Sequence, residues 1–412
     1  MTSILDVCEE PHFSWREDAC LKALFAALNR DGDEVRVVGG AVRNSLIGLP
    51  IGDIDCATTA LPSETMERGR EAGFKIVPTG LEHGTLTLVK DGQSYEVTSL
   101  RADVETDGRR AKVAFGRDWT EDAARRDFTM NALYLDADGQ LYDYLGSGIS
   151  DTKARRVRFI GKAEERIRED YLRILRFFRF YAQYGHAFHC TDYDACVALQ
   201  DGMKQLSAER VGVEMIKLVQ GEFGYSALEA MFDGGFLGQI GLKVPMIKRF
   251  GYYQSQSVML GIPLSSTGAL MAVNGHCRES VEGLMQAWRQ PNRLRDALVR
   301  RSALLEQIST SDFQTAELQT LKQWAYRYGK DTVLDCLALQ RLDRDAEDLR
   351  ELCQHLQQWD LPAFPVKGKD LIAAGVTPGP EMGVRLSDCE ARWVESGFSL
   401  GKADLLDGIS SD

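Results

Sequence analysis

Apolar and polar positions divide the chain into an N-terminal part with mixed patterns and a helical remainder. Alternating apolar residues in short runs predict strands at residues 35–38, 74–77, 85–89 and 94–100. Apolar residues at helical spacing predict helices at residues 14–30 and 61–73. Residues 225–360 show repeated helical spacing and few strand signals. The pattern predicts an α+β N-terminal part followed by all-helical segments.

The first predicted strand leads into a group of residues suited to a nucleoside triphosphate. Gly39 and Gly40 follow the strand and would let the backbone approach phosphates closely, while Arg43 would donate to the phosphate oxygens. Side chains alternate along a strand, so Asp53 and Asp55 would share a face, where two carboxylates can hold a pair of divalent cations. A lone Asp-x-Asp is more often a turn or a solvated face. Their order and spacing together favour the phosphate site.

This stretch resembles motif A of the class II nucleotidyltransferases, the family of CCA-adding enzymes and bacterial poly(A) polymerases. The family usually has Asp at the position of Asn44, which puts a carboxylate role there in doubt but would preserve capping of the following turn. Glu96 lies on a later predicted strand whose alternation could direct it toward the aspartates. We predict Glu96 as a third carboxylate, with an exposed strand glutamate as the alternative.

Residues 101–119 combine an Asp-Gly turn with dense charge and little apolar periodicity, which predicts a mobile loop. A solvated surface loop is the simpler interpretation. In CCA-adding enzymes a flexible loop at this position is associated with the switch from adding C to adding A. The run DGR, followed by a valine, a phenylalanine and DW, is similar to the mitochondrial and alphaproteobacterial type.

Residues 125–132, RRDFTMNA, match motif B of the same family. Arg125 and Arg126 can grip phosphates bidentately, and Asp127 can accept hydrogen bonds from ribose hydroxyls, which would select RNA precursors. The resemblance also assigns Asn131 to the nucleotide site. A surface ion-pair cluster at a helix start is the alternative interpretation.

A single amphipathic helix is predicted from Glu169 onward. Its apolar positions recur at helical spacing and would face the core: Tyr171, Ile174, Leu175 and Phe178. Asp170 and Arg173 would then be neighbours on another face of the helix, which also carries Arg176. The simplest account is a surface salt bridge worth about 0.5 kcal/mol.

Asp170 beside Arg173 would also suit cytosine and adenine, because both bases present an exocyclic amine beside a ring-nitrogen acceptor. Guanine and uracil present a carbonyl beside an N–H, which is the reverse pattern. The segment matches the EDxxR motif D, which CCA-adding enzymes use as an amino-acid template, and the resemblance places Arg176 in the same site. A likeness to motif E follows at residues 206–211.

The resemblance implies a polymerase β-like nucleotidyltransferase head with a mixed, mostly antiparallel sheet. We expect the head at 1–150, a helical neck for base recognition at 151–220, a helical body at 221–340 and a helical tail for tRNA binding at 341–412. Loops are predicted at two positions in the body, 251–261 and Gln290-Pro291. In the tail, Lys367 and Lys369 are candidate phosphate contacts.

Composition and charge narrow the possible partners. The longest uncharged run, residues 250–277, contains Pro263 and many polar residues, so we expect no membrane span. Residues 1–30 carry five acidic side chains, which argues against a signal or transit peptide and favours a cytoplasmic location. The net charge of −12 is unusual for a nucleic-acid binder, but residues 151–180 carry a net +5 that could neutralise RNA phosphates. The nine cysteines form no CxxC pair, so no zinc site or disulfide framework is expected.

These observations predict template-independent addition of CCA to the 3′ end of tRNA from CTP and ATP, with Mg²⁺ held by Asp53 and Asp55. Poly(A) polymerase activity, or addition of CC or A alone, would share the same motifs. A non-enzymatic tRNA-binding protein is a third alternative, which the presence of the carboxylates disfavours. No obligate protein partner is indicated.

Overall fold

The computed structural model describes residues 3–7, 11–102, 114–242 and 245–407. Its strands, in chain order, are β1 Ser3–Asp6, β2 Val35–Val38, β3 Ile54–Thr58, β4 Lys75–Gly80, β5 Thr85–Lys90, β6 Gln93–Ser99, β7 Arg101–Ala102, β8 Ala114–Phe115, β9 Leu133–Leu135, β10 Gln140–Asp143, β11 Arg156–Val157 and β12 Ala187–Phe188.

The helices as far as residue 239 are α1 Ala19–Leu28, α2 Gly40–Leu46, α3 Pro62–Glu71, α4 Trp119–Ala124, α5 Gly148–Lys153, α6 Ala163–Glu169, α7 Leu172–Tyr184, α8 Cys190–Leu199, α9 Ala208–Leu218, α10 Gly224–Asp233 and α11 Phe236–Gln239. Later helices are α12 Ile247–Leu260, α13 Ser266–Asn274, α14 Arg278–Trp288, α15 Asn292–Gln307, α16 Thr310–Thr315, α17 Leu318–Tyr328, α18 Lys330–Leu339, α19 Ala346–Gln358, α20 Gly368–Ala373, α21 Pro380–Glu395 and α22 Lys402–Leu406. Short 3-10 segments occur at Pro11–Glu17, Leu81–His83, Thr129–Asn131 and Gln200–Gln205.

Eight strands form one sheet in the order β1-β10-β9-β2-β3-β6-β5-β4. All neighbours are antiparallel except β3 and β6, which are parallel. A parallel pair needs a crossover, and here α3, β4 and β5 supply the chain between the two strands. The predicted α+β class with a mixed, mostly antiparallel sheet followed by helices is confirmed.

The two faces of the sheet carry different cores. Val35 and Val37 of β2 pack in the cluster that includes Leu21 and Leu24 of α1. Val38, on the opposite side of the strand from Val37, belongs to a second cluster with residues of α4 and β9. Because side chains alternate along each strand, one face is covered by α1 and the other is available for polar groups near α4.

The predicted helix at residues 14–30 is shorter than expected. A 3-10 segment, Pro11–Glu17, precedes it, and α1 begins only after Asp18. The Asp18 carboxylate accepts a hydrogen bond from Leu21 N at 2.9 Å, so it caps the new helix. The cap explains the break in a stretch whose apolar spacing is continuous.

The chain divides into two compact units. The first unit comprises Met1–Leu206 and Gly221–Gln239, and the second unit comprises Ser207–Gln220 and Ile240–Asp412. This division is coarser than the four predicted domains, so the boundaries at residues 150, 220 and 340 stay predictions.

The loop predicted at residues 251–261 is wrong, because α12 continues to Leu260. Phe250, Tyr253 and Ser257 recur at helical spacing and are buried, which outweighs the glycine and polar residues that suggested a loop. Gly261, with φ of 65°, ends the helix. The break at Gln290-Pro291 is confirmed, since it lies between α14 and α15. No helix in the described part of the chain is long and apolar enough to cross a membrane.

Candidate active site

The glycine pair forms the turn between β2 and α2. Gly39 has φ of 72°, a conformation that residues with a Cβ rarely adopt, and α2 begins at the next residue. The Gly39 N–H donates to the Leu133 carbonyl of β9 at 3.2 Å, which holds the turn against the sheet. Arg43 follows one helical turn after Gly39 and is buried.

The Arg43 guanidinium makes four hydrogen bonds to described residues, and only 5% of the residue is exposed. Nη1 donates to Asn131 Oδ1 at 2.6 Å, and Nη2 donates to the Tyr184 hydroxyl at 2.8 Å. Nε and Nη2 both donate to Asn44 Oδ1, at 3.1 and 2.9 Å. These bonds connect α2, motif B and α7 through Arg43, and its contact with a phosphate stays a prediction.

Asn44 uses both ends of its amide. Oδ1 accepts from Arg43, and Nδ2 donates to the Pro50 carbonyl at 2.8 Å. An aspartate could accept from Arg43, but it has no N–H to donate to Pro50. Asn44 therefore ties α2 to the loop that leads to Asp53.

The strand pairing brings two of the three predicted carboxylates side by side. Asp55 on β3 and Glu96 on β6 are direct partners in the parallel register, and both are exposed. Their neighbours Cys56 and Val97 are buried on the other face, with α1. Asp53 lies one residue before β3 and is also exposed. The carboxylates thus face away from α1.

The charge at Asp55 fits a divalent cation. Although the residue is exposed as a whole, nearby protein atoms displace water from its carboxylate, and this desolvation, followed by Glu96 and Asp53, raises its pKa to about 6, while Arg126 acts in the opposite direction. A cation between the carboxylates would relieve this repulsion. Among the described residues, no three His, Cys, Asp or Glu side chains converge into a preformed metal cage. Mg²⁺ is commonly bound through one or two carboxylates, with water and substrate phosphates as the other ligands.

A buried carboxylate that sequence analysis did not single out holds the two arginines of motif B. Asp122, on α4, accepts from Arg126 Nη2 and Nε at 3.0 and 3.1 Å, and Arg125 Nη2 also contacts it. The Tyr134 hydroxyl donates to the same carboxylate at 2.7 Å. Burial acts to raise the pKa of Asp122, but Arg126 and Arg125 hold it below its ordinary value. In the sequence, Asp122 lies three and four residues before Arg125 and Arg126, and this helical spacing could have indicated the ion pairs.

Asp127 connects motif B to α7. Oδ1 accepts from Asn131 Nδ2 and from Phe128 N, each at 2.8 Å. Oδ2 accepts from Arg176 Nε at 2.8 Å, and Arg176 Nη2 contacts it as well. These bonds occupy the acceptor positions of the carboxylate, so contact with a ribose hydroxyl requires one of them to open.

Aromatic packing fixes the same connection. The Phe128 ring lies 4.9 Å from that of Phe180 and 5.0 Å from that of Phe159. Phe177 stacks on Phe159 with ring centroids 5.5 Å apart. Motif B and α7 therefore share a rigid aromatic core, and Arg43 reaches the same region through Tyr184.

The helix predicted from Glu169 onward is interrupted, which corrects the expectation that Asp170 and Arg173 share one helix. α6 ends at Glu169, and α7 begins at Leu172. Asp170 has extended backbone angles, and its carboxylate accepts from Leu172 N at 3.1 Å. The two residues are still neighbours, since Arg173 N donates to the Asp170 carbonyl at 3.0 Å. The hydrogen bond from Leu172 N to the Asp170 carboxylate stabilises the turn between α6 and α7.

Neighbouring groups hold the Arg173 side chain at the start of α7. Its Nη1 donates to the Arg166 carbonyl at 2.7 Å and also contacts the Glu169 carboxylate. Arg166 in turn donates to the Arg126 carbonyl at 2.7 Å. Arg173, a candidate for base recognition, is thus connected to motif B through hydrogen bonds with α6.

Comparisons with known proteins agree with these motifs. A family model described as the poly A polymerase head domain matches residues 35–158, and one described as a putative tRNA nucleotidyltransferase domain 2 matches residues 268–407. The chain is 33% identical to the mitochondrial CCA tRNA nucleotidyltransferase 1 of Mus musculus, covering 97% of this chain and 92% of that protein. The chain belongs to the CCA-adding enzyme family.

Other members of the CCA-adding enzyme family match over a similar length. The CCA-adding enzyme of Limosilactobacillus fermentum is 31% identical, covering 93% of this chain and 94% of that protein. A solved structure of the Bacillus stearothermophilus CCA-adding enzyme in complex with CTP superposes with a TM-score of 0.66 at 28% identity, covering 91% and 92% of the two chains. The predicted family is confirmed, and its relatives include both mitochondrial and bacterial proteins.

The structure describes the two ends of the segment at residues 101–119. Of the predicted loop at 101–119, residues 103–113 lie outside the described residues. At its ends β7 pairs with β8, and Arg117 Nη1 contacts Asp33 Oδ1 at 2.6 Å. In the tail, Lys367 and Lys369 are exposed, and their contact with tRNA stays a prediction.

Proposed function

We propose that this member of the CCA-adding enzyme family adds CCA to the 3′ end of tRNA, using CTP and ATP without a nucleic-acid template. The observation that carries the proposal is the pairing of Asp55 with Glu96, on the sheet face where Arg126 influences Asp55. Carboxylates beside a cationic group are what phosphoryl transfer requires. The family membership, which spans nearly the whole chain, supplies the substrate class.

Asp53 and Asp55 would hold Mg²⁺, with Glu96 as the third carboxylate of the site. When bound there, Mg²⁺ would lower the pKa of the tRNA 3′-hydroxyl and neutralise the triphosphate. Gly39 and Gly40 would allow close approach of the phosphates. These residues would thus act at the tRNA 3′-hydroxyl and at the triphosphate of the incoming nucleotide.

Arg125 and Arg126 would bind the triphosphate. Both side chains are partly exposed while Asp122 fixes their other edge, so they present oriented donors with little further loss of freedom. Asp127 and Asn131 would meet the sugar after a local exchange of hydrogen bonds. Arg43 stabilises Asn131 and α7 and has a positioning role.

Asp170 and Arg173 would select the base, as an acceptor beside a donor. Both lie at the start of α7, and Arg176 of the same helix is bound to Asp127. The residues that would recognise the base are therefore connected, through Arg176 and Asp127, to the motif B residues that would bind the sugar and phosphates. This geometry supports selection of C and A by side chains alone.

The test is to incubate the purified protein with Mg²⁺ and a tRNA transcript ending at the discriminator base, with CTP, ATP or both, and to sequence the 3′ ends. We expect CC with CTP and CCA with both nucleotides. Repeated A with ATP alone would indicate a poly(A) polymerase, and a single A or CC with both nucleotides would indicate a partial activity.

Asp53→Ala should abolish transfer and leave tRNA binding largely intact, because the carboxylate acts on the reacting groups. Glu67→Gln, an exposed change on α3, is the matched control and should retain activity. Full activity of Asp53→Ala would contradict the mechanism. The cytoplasmic location remains a prediction, since several relatives are named as mitochondrial.

A further inference from the structure

A cavity of about 660 Å³ in the second unit has five cationic side chains among the residues that line it. It lies between α15, the end of α17 and the beginning of α18. The basic side chains that line it are Arg293, Arg300, Arg301, Arg327 and Lys330. We call it the arginine pocket. It belongs to a different unit from the carboxylates.

Two of these cations already have partners. Arg301 is buried, and its Nε and Nη2 lie 2.6 Å from Asp335 Oδ2. Lys330 Nζ donates to the carbonyls of Gln357 and Trp359, at 3.0 and 2.8 Å. These two side chains form the fixed wall of the pocket.

The other three cations are available to a ligand. Arg293, Arg300 and Arg327 are exposed, and they form no hydrogen bond or ion pair with any described residue. Asp331 is the acidic residue that lines the pocket. Three guanidiniums around one cavity repel one another unless an anion lies between them, because few carboxylates offset them.

The beginning of α18 adds to this positive field. The helix has ten residues, and its N-cap, Gly329, provides no side chain to accept from the first N–H groups. Gly329, Asp331 and Thr332 all line the pocket. The N-terminal end of a helix carries partial positive charge and offers N–H donors to an anion.

We propose that the arginine pocket binds a backbone phosphate of the RNA substrate. Planar guanidiniums can bind phosphate oxygens bidentately, and their exposure leaves room for a continuous polymer. This inference rests on the proposed function, which supplies RNA as the ligand class. A free phosphate has the same local chemistry, so the experiment must separate the two sources.

The test compares Arg293→Gln, Arg300→Gln and Arg327→Gln, singly and combined, with wild type. The matched control is Arg278→Gln, an exposed arginine of the same unit that is paired with Glu282 on its own helix. The dissociation constant for a full tRNA transcript is measured at several salt concentrations. Removing an arginine that binds a phosphate should weaken binding and reduce the slope of log Kd against log salt by about 1.

Kinetics and inorganic phosphate give further readouts. The combined variant should raise KM for tRNA and leave kcat and KM for CTP unchanged. Unchanged tRNA affinity and salt slope in a folded combined variant would overturn the inference. Calorimetric titration with inorganic phosphate tests whether the pocket instead binds a free anion. If the combined variant loses phosphate binding but keeps wild-type tRNA affinity, the pocket is a free-anion site and the inference is overturned.

The failure of this inference is distinguishable from failure of the proposed function. If wild-type protein adds no nucleotide but its tRNA binding still depends on the three arginines, the proposed function fails and the inference stands. If addition proceeds and the three arginines do not affect tRNA binding, the reverse holds. Circular dichroism of each variant confirms that the helical unit is folded.

Discussion

Glu96 lies directly beside Asp55, as its partner on the neighbouring parallel strand. Both side chains project from the sheet face that does not carry α1, and Asp53 adds a third negative charge. Desolvation of the Asp55 carboxylate by nearby protein atoms, together with these two negative charges, raises its pKa to about 6. The three carboxylates therefore repel one another, and a divalent cation bound between them would reduce this repulsion.

Cation binding should depend on pH through the ionisation of Asp55. Only the ionised carboxylate attracts Mg²⁺, so we expect the apparent Mg²⁺ affinity to fall as the pH drops through about 6. Magnesium titrations of CTP incorporation at several pH values measure this midpoint. Glu96→Gln should move it to lower pH, because one neighbouring negative charge is removed. An unchanged midpoint in that variant would show that Glu96 does not interact with Asp55.

The same pKa predicts how stability changes without metal. The folded pKa of Asp55 exceeds its ordinary value near 3.8, so the metal-free protein should lose stability as the pH rises through about 6. Asp55→Asn should remove this loss and show a higher urea midpoint than wild type at about pH 8. At about pH 3, where the wild-type carboxyl is protonated in both states, the difference should disappear.

Arg43 should matter to stability more than an ordinary phosphate-binding arginine. Arg43→Ala would leave Asn131, Asn44 and Tyr184 without their donor, and we expect a loss of about 2–4 kcal/mol in the free energy of unfolding. Urea unfolding measures this loss. Arg70→Ala, an exposed change on α3, should stay within about 0.5 kcal/mol and serves as the control. An equally small effect for Arg43→Ala would refute the role as a brace.

Asp122 should affect both nucleotide binding and acid stability. Asp122→Asn would weaken the hold on Arg125 and Arg126, so KM for both CTP and ATP should rise several-fold while tRNA affinity changes little. The exposed neighbour Glu121→Gln should leave both KM values unchanged. Similar KM values in Asp122→Asn and wild type would contradict this role.

The acid dependence follows from the lowered pKa of Asp122. Its stabilising contribution is present above the unfolded pKa near 4 and disappears as the pH falls through the lower folded pKa. The difference in urea midpoint between wild type and Asp122→Asn should therefore be large at neutral pH and shrink in acid. A difference that is constant with pH would exclude a charge effect.

Base selection should depend on the residues at the start of α7. Asp170→Ala or Arg173→Ala should increase incorporation of UTP and GTP relative to CTP and ATP, because the acceptor–donor pattern is removed. Competition assays with sequencing of the 3′ ends measure this ratio. Arg168→Ala, an exposed change on α6, is the control and should keep the selectivity. Unchanged discrimination in the first two variants would refute the template role.

Local patterns in the sequence were sufficient for four strands of the main sheet (β2, β4, β5 and β6), for the helical character of the later chain and for the family. The alternation around Val35–Val38, the glycine turn after it and the Asp53–Asp55 pair all depend on neighbouring residues, so they can be recognised without tertiary information. The same reasoning failed where an aspartate side chain set the start of a helix or stabilised the turn before it. Asp18 caps α1, and Asp170 stabilises the turn before α7, both inside stretches whose apolar spacing is continuous.

The sequence by itself determined the α+β class, the order of the motifs and the type of chemistry, because each is encoded in local spacing. Only the tertiary structure decided which distant residues meet. The partnership of Asp55 with Glu96 depends on strand register across a crossover, and the burial of Arg43 depends on Tyr184, 141 residues away. The arginine pocket likewise joins separate helices. Such contacts depend on how elements pack, which no local pattern specifies.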